Sequence, residues 1–175
     1  AITDADYNVA MGYLALSADT LGSRSVAIGR TALRDQNFTT ATDSNNVAIG
    51  YAAGASTTTG IKNVLIGAEA GDAITSGNSN IAIGYQALSA DTLGDRNIAI
   101  GLQALATQNF TTSTDSYNTA VGYDSGASVT TGISNTFVGG LTGDGTDDGN
   151  YNTALGYGAL GANCGSNNVA VGNLA

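Results

Sequence analysis

Apolar and small residues alternate in a five-residue phrase that recurs ten times along the chain, in its cleanest form Asn46-Val47-Ala48-Ile49-Gly50. The copies begin at Asn8, Ser25, Asn46, Asn63, Asn80, Asn97, Asn118, Asn135, Asn152 and Asn168, and each ends in glycine. Strict alternation puts Val47 and Ile49 on one face of an extended segment and Ala48 on the other. Valine and isoleucine are stiff at the first side-chain torsion and suit strands. The glycine is expected to supply a backbone angle that other residues adopt only with strain, turning the chain sharply. The asparagine is expected to bond neighbouring backbone groups and, if copies stack, to form a ladder in which each satisfies the next. One phrase is too short to bury anything alone. Stacked at strand spacing, about 4.8 Å, the Val–Ile pairs are expected to form one hydrophobic column. The pattern therefore predicts a solenoid in which each coil touches only its neighbours.

A second short phrase follows each glycine, as in Arg30-Thr31-Ala32-Leu33, Tyr85-Gln86-Ala87-Leu88 and Tyr157-Gly158-Ala159-Leu160. It reads as the other side of the coil, a second strand with alanine as the small inward residue. Tyrosine follows the glycine in five of the ten copies. These rings either cap the flank of the coil or form an aromatic strip able to stack on sugars.

Successive copies are spaced 17, 21, 17, 17, then 17, 21, 17, 17 and 16 residues apart, so a four-coil unit of 72 residues repeats. The chain reads as one domain over 1–175, with blocks 8–79 and 80–151 and a partial block 152–175. Both ends fall inside a repeat, so a fragment of a longer fibre is expected. The long connectors carry Gln36-Asn37-Phe38-Thr39-Thr40 and Gln108-Asn109-Phe110-Thr111-Thr112. Insertions in a solenoid leave the coil as loops on one face, often the binding face. Asn37, Phe38, Thr39, Asn109, Phe110 and Thr111 are thus the candidate receptor-binding residues, unless the rings fold back over their own coils. Both triplets also match the glycosylation acceptor pattern, which arises easily in a threonine-rich chain.

The 175 residues include 25 glycines and no proline, tryptophan or histidine, and much of the 42% apolar share is alanine. A thin coil with small residues on one strand face invites identical chains to approach and supply the burial that one chain lacks. A net charge of −9 opposes nucleic acid and anionic membranes as partners. Without histidine, serine–histidine and cysteine–histidine nucleophile systems are excluded. The turn with Asp144, Asp147 and Asp148 is the one candidate for calcium, through carboxylate and backbone oxygens. Its spacing fits no standard calcium loop, so a solvated turn is the expected reading and no cofactor is expected. The connector threonines are expected to lack the coil-by-coil register that an ice-binding array needs.

Through Asn46-Val47-Ala48-Ile49-Gly50 and Asn80-Ile81-Ala82-Ile83-Gly84-Tyr85-Gln86-Ala87-Leu88, the chain resembles the heads of trimeric autotransporter adhesins and repeat-bearing bacteriophage tail fibres. The resemblance spans essentially the whole chain. It implies a left-handed parallel β-roll, three chains around one axis, and attachment to a surface. The coils here are longer than in adhesin heads, which favours a fibre. The expectation is thus an all-β parallel β-roll or β-helix of about ten coils, roughly 45–50 Å long. Its expected role is a non-enzymatic, structural and adhesive segment of a homotrimeric extracellular fibre, on a virion tail or a bacterial surface. It would display loops to a host or cell-surface receptor, glycans included, without direct membrane insertion. Two alternatives stay open, a self-assembling filament and a polysaccharide depolymerase segment of a tailspike.

Overall fold

The computed structural model describes residues 5–175. Ten three-residue strands, one per coil, stack as one parallel sheet. They are Val9–Met11, Val26–Ile28, Val47–Ile49, Val64–Ile66, Ile81–Ile83, Ile98–Ile100, Thr119–Val121, Thr136–Val138, Thr153–Leu155 and Val169–Val171, here coils 1 to 10. Register is strict: Val47 pairs with Val64, Ala48 with Leu65 and Ile49 with Ile66. The described residues contain no helix. The protein is a parallel β-solenoid of about ten turns, as its period predicts.

The strand parity is the reverse of the expected one. Ala27, Ala48, Leu65, Ala82, Ala99, Ala120, Phe137 and Ala154 point inward and are buried, while the flanking Val and Ile positions face out. The asparagine decides this. It lies two residues before the central alanine, so both share one face. Its oxygen accepts a hydrogen bond from the backbone N–H of the next coil's asparagine, at 2.9 Å for Asn46 to Asn63, Asn63 to Asn80 and Asn80 to Asn97. Its amide donates across the coil to a glycine carbonyl, at 2.8 Å for Asn46 to Gly60, Asn63 to Gly77 and Asn80 to Gly94. The expected ladder therefore exists. Such a side chain must be inside, and alternation then drives valine and isoleucine outward. The small residues fill the narrow interior instead of inviting a second chain.

The phrase glycine is required twice over. Gly50 has φ +142°, and a Cβ there would collide with the Gly67 carbonyl of the next coil.

The second phrase is not a strand. After Gly29, overlapping turns bond Ala32 N–H to the Gly29 carbonyl and Arg34 N–H to the Thr31 carbonyl. Alternate residues take the left-handed conformation, Thr31 at φ 60° and Leu33 at φ 47°. Their N–H groups point in opposite directions along the axis, Thr31 to the Tyr13 carbonyl and Leu33 to the Ala53 carbonyl. Stacking thus satisfies a turn that alternation alone would call extended.

Core volume is balanced between coils. Where the strand centre is large, the facing turn residue is glycine: Leu65 fills the space beside Gly54 and Gly71, and Phe137 that beside Gly126 and Gly143. The connector threonines are also in register, contrary to expectation. The Thr58 N–H and hydroxyl both bond the Thr75 carbonyl, and those of Thr75 bond the Thr92 carbonyl.

Candidate binding surface

The outward face of the main sheet is uncovered along the described coils. Two rows of side chains run its length, one from Val9 through Val26, Val47 and Val64 to Val169, the other from Met11 through Ile28, Ile49 and Ile66 to Val171. Within the stack they are half-buried by neighbours above and below, and Ile49 remains 37% exposed. Threonine replaces the first-row residue in coils 7 to 9, at Thr119, Thr136 and Thr153. At strand spacing the apolar strip is roughly 45 Å long. Soluble monomers seldom leave so extended an apolar strip uncovered.

Beside it runs the row that follows each phrase glycine. Backbone hydrogen bonds hold it in register, such as Glu69 N–H to the Tyr51 carbonyl and Gln103 N–H to the Tyr85 carbonyl, 2.8 and 2.9 Å. Tyr13, Tyr51, Tyr85, Tyr123 and Tyr157 fall on alternate coils and are 48–67% exposed. Arg30, Ala68, Leu102 and Gly140 occupy the coils between. The Arg30 guanidinium lies over the Tyr13 and Tyr51 rings, 6.0 and 5.6 Å from their centroids. One residue further on, Glu69, Gln86, Gln103 and Asp124 form a polar rail. Gln86 donates to the Glu69 carboxylate at 2.8 Å and Gln103 to the Gln86 oxygen at 3.2 Å. The alternation was readable in the sequence, since successive tyrosines lie 38, 34, 38 and 34 residues apart, two coils each time.

The long connectors hold their rings inside. Phe38 and Phe110 are 7% and 6% exposed. Phe38 packs over Gly22, a contact that any side chain at that glycine would block. Neither ring is an exposed anchor. Of the other candidate residues, Asn37, Thr39, Asn109 and Thr111 are exposed. The Asn37 and Asn109 oxygens accept from Thr20 and Thr92, at 3.1 and 3.0 Å. Each connector returns to pair with the coil before it, Gly22–Ser23 with Thr42–Asp43 and Gly94–Asp95 with Thr114–Asp115. Arg24–Asp43, at 2.9 Å, and Arg96–Asp115 brace these returns as exposed ion pairs.

Beneath each ring lies a buried polar box. Gln36 donates to Asp19 at 2.7 Å, and Asn46 donates to the Gln36 oxygen at 2.8 Å. In the second block Gln108 donates to Asp91 at 2.6 Å and Asn118 to Gln108 at 2.8 Å. Burial pushes the Asp91 carboxyl above its ordinary range, against the hydrogen bonds from Gln108, Gly94 and Phe110. The members of the box are fully buried and bonded to one another beneath the loop.

In the acidic turn, the Asp148 N–H donates to Asp147 at 2.8 Å and holds that carboxyl below its usual value. Among the described residues no three His, Cys, Asp or Glu side chains gather as metal ligands. A hollow of about 450 Å³ at the last coil is lined by residues that include Leu160, Cys164 and Leu174, with no acidic side chain among them. No described helix is long and apolar enough to cross a membrane.

Set against protein-family models, curated proteins and solved structures, the chain matches none of them.

Proposed function

We propose that this chain is a rigid, non-enzymatic segment of a homotrimeric extracellular fibre, of the phage tail-fibre or bacterial adhesin kind, that serves attachment to a cell surface. The observation that carries the reading is the strip of valine and isoleucine along the outside of the sheet. A narrow coil filled with alanine buries little apolar surface by itself. Covering the strip with identical strips from two further copies removes it from water and stiffens the rod. The stacked hydrogen-bond ladders suit a structure that bears load along its axis. Three copies on one axis would turn weak surface contacts into strong attachment through effective concentration.

Sedimentation equilibrium tests the assembly. A trimer is expected for the wild type, and a monomer for Ile49→Glu combined with Ile66→Glu, whose charges would be buried unpaired in the interface. A wild type that stays monomeric at high protein concentration refutes the proposal. Open-ended polymers would transfer the chain to the filament reading.

A further inference from the structure

We infer that the tyrosine column is a binding platform for an uncharged, extended, β-linked polysaccharide lying parallel to the solenoid axis. This rests on the attachment reading above and names the ligand class that attachment would use.

The spacing argues first. A row that merely sealed the coil would repeat from coil to coil, as the asparagine row does with the single exception of Ser25. The tyrosines skip one coil each time, which sets Tyr51, Tyr85 and Tyr123 about 9–10 Å apart by strand spacing. That is close to the length of one disaccharide in an extended β-1,4-linked chain, whose alternate sugar rings present the same face. Exposure argues second. Tyr51, Tyr85 and Tyr123 are 48–55% exposed, so about half of each side chain is open to a ligand. A tyrosine ring joins an apolar face to a polar tip, which suits stacking on a pyranose. The polar rail argues third. Glu69, Gln86, Gln103 and Asp124 supply one carboxylate or amide per coil beside the rings, suited to sugar hydroxyls. Charge argues last. The rail carries two acids against one cation in the column, Arg30 beside Tyr13 and Tyr51, and the chain has a net charge of −9, so an anionic polymer would be repelled.

Native affinity electrophoresis through hydroxyethyl cellulose tests this, with polygalacturonate as the anionic comparison and sedimentation equilibrium run on every variant. The wild type should be retarded by hydroxyethyl cellulose and not by polygalacturonate. Each of Tyr51→Ala, Tyr85→Ala and Tyr123→Ala should weaken retention about 3- to 10-fold, and the triple variant should abolish it. Tyr85→Phe keeps the ring and should stay within about twofold of wild type. Absence of wild-type retardation, equal retardation of the triple variant, or stronger retardation by polygalacturonate overturns the inference. So does an altered assembly state in the triple variant, since the rings would then serve the subunit seam. A monomer that still binds the glycan refutes only the trimer, and a trimer that does not bind refutes only the platform.

Discussion

Thr57 and Val129 occupy the same place in the two 72-residue blocks, and the pair makes the protein its own control. Both side chains are fully buried. The Thr57 hydroxyl has no hydrogen-bond partner. Its backbone N–H bonds the Gly54 carbonyl at 3.0 Å, and the Val129 N–H bonds the Gly126 carbonyl at the same distance, so the two frames agree. A buried hydroxyl left unpaired costs about 1–3 kcal/mol. Thr57→Val removes that cost and places a methyl group where the sister coil already accepts one. The expected gain is about 1 kcal/mol, below the full penalty because the denatured chain retains some structure. At this chain length it corresponds to a rise of roughly 2–4 °C in melting temperature. The reciprocal Val129→Thr should lose about 1–3 kcal/mol. Urea unfolding followed by circular dichroism reads both, with unchanged m-values as the check that cooperativity is intact. If Thr57→Val is neutral or destabilising while Val129→Thr is tolerated, the two sites are not equivalent and the block-to-block reasoning fails.

Asn80→Leu should destabilise by about 2–5 kcal/mol, since the Asn97 N–H and the Gly94 carbonyl lose their buried partner; loss of amide-exchange protection centred on coils 5 and 6 is the measurement. Lys62→Gly should stabilise by about 0.5–1 kcal/mol, because Lys62 is exposed at φ 61° and glycine relieves left-handed strain in excess of its own entropy cost; a drop in urea midpoint would refute this. Asp91 has a folded pKa above its unfolded one, so the native state binds more protons between the two values. Stability should fall as pH rises from about 4 through the raised value and then level off, with Asp72 acting in the same direction. Asp91→Asn should flatten that segment, and a wild-type minus variant difference of opposite slope would contradict the assignment.

Much of this fold could be read from the chain alone. The recurrence of Asn-Val-Ala-Ile-Gly gave the number of coils, their parallel register and the asparagine ladder, because a local phrase repeated at fixed spacing leaves only stacking as a way to bury it. The glycines were equally legible, since no other residue accepts φ near +142° against a neighbouring carbonyl. The exchange of Leu65 for Phe137 and the burial of Phe38 and Phe110 were not legible. They depend on volumes contributed by residues one coil away, such as Gly54, Gly143 and Gly22.

Parity is where hydrophobicity alone misled. Val47 and Ile49 are the most apolar residues of their phrase, yet a strand has two faces and composition does not say which is inside. The choice fell to Asn46, whose amide must reach the next coil and the far wall together, and those partners exist only once the coils are stacked. Tertiary structure therefore decided which side of the sheet faces solvent, because a buried amide has to be hydrogen-bonded while an exposed isoleucine does not.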